Sequence, residues 1–338
     1  MRLARVRDAL NEGRAGDALT LARQLLASRK RDSAVLNLAG IAAFQSGEPA
    51  AARALLEEAQ DRAPKDAEIR MNLANVVAAS GDVDAALSAY EAAHDLAPSY
   101  AEPAYNAGVL LANHGRHTEA AGWFRDAMSR DPDHPAATIS CAEALRAAGN
   151  LSAAKDELEG WIARHPDDPV AHTNLSAVLS SMGDDAGARD AGERATDIDP
   201  GFAAAHFNTG VAQQSLGDHT AAIERYRRTL ALEPGHAAAA LNLGEAYAAL
   251  GDGDEAARAY RRALDIDPGF AKAAVNLADM DLAAGNADAA LAAINGFLAR
   301  NPSHPAALAF RAFALRDAGR VGEAKVLDDP ERFILQRR

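Results

Sequence analysis

Asn72, Asn106, Asn174, Asn208, Asn242 and Asn276 fall on one 34-residue interval, and Ser140 stands in the single gap of the series. A side-chain amide carries both a donor and an acceptor, so a row of them can pair with peptide groups of another chain whatever that chain's sequence. That is the chemistry of recognition. Residue types that could carry a reaction are scattered by comparison. The ten histidines form neither HExxH nor any paired metal-ligand spacing, and the closest pair, His114 and His117, lies across the turn at Gly115. His134, His236 and His304 recur at one point just after a proline, which reads as chemistry of a helix start rather than ligation. Cys141, the lone cysteine, sits in SCAEAL and reads as a small buried hydrophobe. GDGDEA at 251–256 is no phosphate loop, because Asp252 and Asp254 would repel the anion. No catalytic residue, metal or cofactor is expected.

The elements that would hold the asparagines follow from the same interval. Pro64, Pro98, Pro132, Pro166, Pro200, Pro234, Pro268 and Pro302 are 34 residues apart; so are ten glycines from Gly13 to Gly319 and ten alanines from Ala18 to Ala324. Glycine closes a first helix because it takes the left-handed conformation at low steric cost. Asp84, Thr118, Ser152, Thr220, Asp254 and Asp288, three residues later, are expected to cap a second helix with their short side chains. The alanine lets a neighbouring helix approach, and the proline ends the second helix because it cannot continue the hydrogen-bond ladder. Alanine, leucine, arginine and glutamate dominate and aromatics are only 5%, so the reading is all-α.

This pattern resembles the tetratricopeptide repeat, with Gly40, Gly108, Gly210 and Gly244 at the small position of the first helix. Ala74, Ala142, Ser176, Ala278 and Ala312 are equivalents, and Tyr90, Phe124, Tyr226 and Tyr260 fill the aromatic position of the second helix. The resemblance implies a right-handed α-α superhelix, a solenoid of about ten helix-turn-helix repeats over residues 1–327. Its units are 1–32, 33–66, 67–100, 101–134, 135–168, 169–202, 203–236, 237–270, 271–304 and 305–327. The first departs from the pattern with Lys30 in place of proline, and 328–338, with Phe333, Ile334 and Leu335, reads as a closing cap or the start of a linker. Trp161 and Gly192 replace a small residue and an aromatic in the fifth and sixth units; volume conservation predicts that Trp161 packs toward the helix of Gly192. Gly187 and Gly192 weaken that helix and make it the place to expect a hinge.

In the family, the asparagine position faces the inner side of the superhelix. The row is similar to the asparagine ladder in the repeat arm of the O-linked N-acetylglucosamine transferases, which implies that Asn72, Asn106, Asn174, Asn208, Asn242 and Asn276 bind peptide. With first helices roughly 10 Å apart and an extended chain rising about 3.3 Å per residue, one rung would serve about every third ligand residue. Ser140 would break that track. The alternative is that the amides bond only to neighbouring backbone or water. Glu68, Glu102, Glu143, Glu245 and Asp279 take other inner positions and favour neutral or basic ligands. The three-unit Lys/Asn clamp for acidic chaperone tails is not matched: Lys272 and Asn276 could begin it, but Phe310 stands at the next asparagine position.

The expected function is a protein-interaction scaffold that holds an extended peptide or partner segment. The alternative is a substrate-recruiting arm of a modifying enzyme, a glycosyltransferase or an Fe(II)/2-oxoglutarate oxygenase, whose catalytic part lies outside this chain. A net charge of -13 spread along the chain argues against a nucleic-acid partner, although Arg2, Arg5, Arg7 and Arg14 make the opening locally basic. No window approaches the roughly 20 apolar residues of a membrane span, and MRLARVRDALNEGRAG lacks a signal-type apolar run. A cytoplasmic, soluble chain is the expectation.

Overall fold

A computed structural model describes residues 2–28, 31–320 and 323. Lys30, Ala324 and the whole of 328–338, to which the cap was assigned, lie outside the described residues. The described residues form nineteen helices and no strand, in the helix-turn-helix order expected of the sequence. Packing divides the chain into two compact units, Met1–Trp161 and Ile162–Arg338.

The first unit holds α1 (Arg2–Asn11), α2 (Ala15–Ala27), α3 (Ser33–Gln45), α4 (Pro49–Arg62), α5 (Ala67–Ala79), α6 (Val83–Leu96), α7 (Glu102–Asn113), α8 (His117–Arg130), α9 (Pro135–Ala147) and most of α10 (Leu151–Arg164). The second continues with α11 (Pro169–Met182), α12 (Asp185–Ile198), α13 (Ala203–Ser215), α14 (His219–Leu232), α15 (Ala237–Ala249), α16 (Gly253–Ile266), α17 (Ala271–Ala283), α18 (Ala287–Arg300) and α19 (Pro305–Asp317). Contacts run from a helix to its partner in the pair and on to the next pair, as from α3 to α4 and α5 in the first unit and from α11 to α12 and α13 in the second. The division falls inside α10 and not at α12. Despite its two glycines, α12 packs on both α11 and α13.

The turn inside each pair depends on the register glycine. Gly217 has φ +83°, a conformation that places a β-carbon against its own backbone in any other residue, and the other nine register glycines share the left-handed region. The next residue, not the third, caps the second helix. Asp82, Asp184, Asp218 and Asp252 accept from the amides of Ala85, Gly187, Ala221 and Glu255 respectively. The expected caps Asp84, Thr118, Ser152, Thr220, Asp254 and Asp288 therefore lie in the first turn, two residues too late. The chain leaves the left-handed glycine straight into a cap geometry, as at Asp218 (φ −84°, ψ 70°), so no spacer is needed. The prolines act as expected: α14 stops at Leu232, before Pro234. His134, His236 and His304 begin α9, α15 and α19, each with Nδ1 accepting a backbone amide hydrogen at 3.0, 3.1 and 3.4 Å.

The core is built from paired sizes. Every register alanine among the described residues, from Ala18 to Ala290, is fully buried where neighbouring helices approach. Each glycine of the small position lies beneath the large residue 16 places later. A β-carbon on Gly108 would lie 2.6 Å from Phe124 Cε1, and one on Gly244 would lie 2.5 Å from Tyr260 Cε1. Gly192, where the aromatic is missing, has close neighbours on two other helices. A β-carbon there would collide with Thr209 Oγ1 and come within 3.3 Å of Ser176 Oγ. Thus α11 and α13 approach closely at the position where the aromatic is missing. Trp161 is itself buried.

This pairing predicts a graded response at Gly244. The alanine methyl would lie 2.5 Å from Cε1 of the buried Tyr260 ring, which must shift, and the roughly 1 kcal/mol of helix propensity gained over glycine offsets only part of that, so Gly244→Ala is expected to lose up to about 1 kcal/mol. Gly244→Val drives a branched side chain into Tyr260 and is expected to lose about 1–3 kcal/mol. Urea denaturation of both variants measures the difference, and equal midpoints would contradict the packing.

Candidate functional site

In the second unit the predicted asparagines lie on α11, α13, α15 and α17, the first helices of successive pairs, and all four are half-buried. α11 packs on α13 and α13 on α15, which brings neighbouring rungs within reach of one another's helices. Asn208 Nδ2 donates to the Thr173 carbonyl at 3.2 Å, tying α13 to α11. Asn276 Nδ2 donates to Glu245 Oε1 at 3.2 Å, tying α17 to α15. Asn242 Nδ2 lies 3.5 Å from Tyr226 Oη, and Asn174 Nδ2 turns back on the Val170 carbonyl of its own helix at 3.0 Å. Glu245 also receives Lys272 Nζ at 2.7 Å, so one of the expected inner carboxylates is already neutralised.

The first unit carries a denser version of the same motif. Asn72 Nδ2 donates to Asn37 Oδ1 at 2.9 Å, and Asn37 Nδ2 in turn donates to Glu68 Oε1 at 3.1 Å. Asn106 Nδ2 reaches Asn75 Oδ1 at 3.3 Å, and the same oxygen accepts from Tyr90 Oη at 2.6 Å. Sequence reasoning missed Asn37 and Asn75 because they stand one position before and three after the ladder position. A polar residue on the apolar side of α3 or α5 was the available signal. Each rung thus bonds to nearby protein groups through its amide nitrogen. Among the described residues, no protein donor meets the side-chain oxygen of any of the six.

Ser140, on α9, does more than interrupt the row. It lines a pocket of about 550 Å³ formed by α7, α8 and α9, with Tyr105, Val109, Phe124 and Ala144 among the other lining residues. Glu143, Asn113, His117 and Arg146 supply its polar lining. The hydroxyl of Ser140 and the carboxylate of Glu143 meet no protein donor among the described residues. The missing asparagine was the sequence signal for this pocket.

The ionisable groups near the ladder are held in unreactive forms. Burial pushes the hydroxyls of Tyr90 and Tyr260 up to about 12, and that of Tyr226 higher still. They remain protonated donors at neutral pH. Cys141 is fully buried, with Sγ 3.7 Å from the Ala121 carbonyl, and burial pushes its thiol up to about 12. A folded-state pKa raised above the unfolded value favours the folded state below the unfolded pKa, near 10 for tyrosine, and that contribution disappears as pH rises through the folded value. Stability is therefore expected to be insensitive to pH from neutrality to about 10 on account of these tyrosines, and to fall between about 10 and 12. Tyr90→Phe and Tyr260→Phe together should flatten the fall; thermal unfolding across that range checks it.

Among the described residues, no helix is long and apolar enough to cross a membrane. No curated protein sequence matches the chain. Among solved structures, the APC/C hetero-tetramer Cut9-Hcn1 is 18% identical with a TM-score of 0.56, over 88% of this chain and 59% of that one. MamA is 23% identical over 48% of this chain and 94% of its own, with a TM-score of 0.45. TTC0263, a thermophilic protein of Thermus thermophilus, is 24% identical over 54% and 99%, with a TM-score of 0.46. At such identities the likeness is one of fold. Two tetratricopeptide repeat models match the sequence itself, one over residues 3–67, 71–135 and 207–269 and the other over 112–179 and 248–312. The first alone spans more than half of the chain, at the glycine, alanine and proline register described above, and so the chain belongs to the tetratricopeptide repeat family.

Proposed function

We propose that this chain is a protein-interaction scaffold and that the asparagine-bearing helices of each unit, with Asn72 and Asn106 in the first and Asn174, Asn208, Asn242 and Asn276 in the second, bind an extended segment of another protein. One observation carries the reading. Each amide bonds to nearby groups through its nitrogen and leaves its oxygen without a protein donor among the described residues, an acceptor for the N–H of a peptide group. The bonds to adjacent helices help to orient the rungs and reduce the side-chain entropy lost on binding. The exposed carboxylates of Glu102, Glu143 and Asp279 on the same helices favour a neutral or basic segment.

The test has two stages. Affinity capture with the whole chain, followed by cross-linking and mass spectrometry, maps the segment held and the residues it touches. A synthetic peptide of that segment is then titrated against the wild type and against Asn174→Ala/Asn208→Ala/Asn242→Ala/Asn276→Ala. Cross-links to α11, α13, α15 and α17 and weakened binding by the folded variant are expected. Undiminished binding would refute the ladder.

A further inference from the structure

Where the ladder lacks its asparagine, the pocket has a chemistry of its own. Serine carries a hydroxyl where asparagine carries a carboxamide, and at the position that Asn106 fills one repeat earlier Ser140 lines a pocket of about 550 Å³. One wall is aromatic and held in place: the Tyr105 ring lies 5.7 Å from that of Phe124 and 4.9 Å from that of His134. Val109 and Ala144 extend the apolar surface. Facing it are two acceptors without protein donors, Ser140 Oγ and the Glu143 carboxylate, together with the guanidinium of Arg146.

These groups narrow the occupant by elimination. The exposed Glu143 and Arg146 lie three residues apart and offset one another, so the pocket itself offers a charged side chain little net attraction of either sign. An aliphatic side chain would cover the half-buried Ser140 hydroxyl without giving it a hydrogen bond, which costs free energy that water would otherwise supply. A neutral aromatic side chain with one donor satisfies both parts, its ring against Tyr105 and Val109 and its O–H or N–H toward Glu143 or Ser140. We propose that the Ser140 pocket takes one tyrosine or tryptophan side chain of the segment bound along the ladder. This rests on the peptide-binding reading above. It adds a residue-specific anchor to a face that otherwise reads backbone.

The probes are two fluorescein-labelled 12-residue peptides of alanine, serine and threonine, one with a central tryptophan and one with a central alanine, followed by fluorescence anisotropy. The wild type is expected to bind the tryptophan peptide roughly tenfold more tightly. Two variants remove the pocket differently. Ala147→Trp, at an exposed lining position, blocks it from the rim, and Ser140→Asn restores the rung. Both should retain the wild-type circular dichroism spectrum; Ala147→Trp should bind the alanine peptide within about threefold of wild type and Ser140→Asn at least as tightly as wild type, while the preference of each for tryptophan falls to about threefold or less. Equal binding of the two peptides by the wild type, or a tryptophan preference that survives in both variants, overturns the pocket and leaves the groove reading intact. Failure of the wild type to bind either peptide overturns both.

Discussion

Tyr226→Ala is expected to destabilise the second unit by about 3–5 kcal/mol, the range for removing a large aromatic side chain from a core that can relax only partly. The Tyr226 side chain is 0% exposed, the largest fully buried side chain among the described residues. Its ring covers Gly210, where a β-carbon would come within 2.8 Å of Cε1, and lies 6.0 Å from the ring of Phe207. The glycine cannot fill the void because it has no side chain to move. The hydroxyl donates to Gln214 Oε1 at 2.8 Å and meets Asn242 Nδ2 at 3.5 Å, so truncation also strips a polar pair of its partner. Tyr226→Phe separates the two contributions. It keeps the ring and loses the hydroxyl, at an expected cost of about 1 kcal/mol. In a repeat array, stability is approximately a sum of unit and nearest-neighbour terms, so the effect should centre on α13, α14 and α15. Urea denaturation gives the magnitude, and amide hydrogen exchange gives the location. A loss below about 1 kcal/mol for the alanine variant would mean that the aromatic position is not the packing centre its burial indicates.

The register of glycine, alanine and proline was legible because each answers a backbone or contact requirement that only one or two residue types satisfy. Left-handed Gly217 and fully buried Ala222 leave little freedom, and so the helix pairs could be read directly. The capping residues were harder. Asp82 and Asp84 both stand near a helix start with suitable side chains, and only the backbone geometry after the glycine makes the first the cap. Gly192 shows a second kind of limit. The sequence reveals the missing aromatic, but closure by Thr209 and Ser176 depends on how nearly α11 and α13 approach α12. The ladder lies between these cases. Its positions follow from the interval, whereas its bonds depend on reach: Asn208 spans to the Thr173 carbonyl, while Asn174 folds back on Val170. Ser140 was legible as a gap and not as a pocket, because the volume is enclosed by Tyr105, Phe124 and Ala144 from three different helices.

Removing four rungs at once, with Asn174→Ala/Asn208→Ala/Asn242→Ala/Asn276→Ala, is expected to weaken binding of an extended segment by at least about 30-fold. A hydrogen bond between neutral groups contributes about 0.5–1.5 kcal/mol net, and four rungs with one such bond each reach about 2–6 kcal/mol. The lower end already corresponds to roughly 30-fold in Kd. Two features keep the estimate near that end. Asn276 and Asn208 must hold their existing bonds to Glu245 and Thr173 while pairing with the ligand, so their orientation is a compromise. Asn242 has the longest internal bond, 3.5 Å, and is therefore the rung most free to turn toward a peptide. Asn242→Ala alone should consequently lose more affinity than Asn276→Ala alone. Stability should follow the reverse order, because Asn276→Ala removes one of the groups that pair with Glu245 and Asn242→Ala removes only a long contact to Tyr226. That opposite ranking distinguishes a binding ladder from a set of structural ties: ties alone would make the affinity losses track the stability losses across the four single variants. Isothermal titration and urea denaturation on the same four proteins supply both scales.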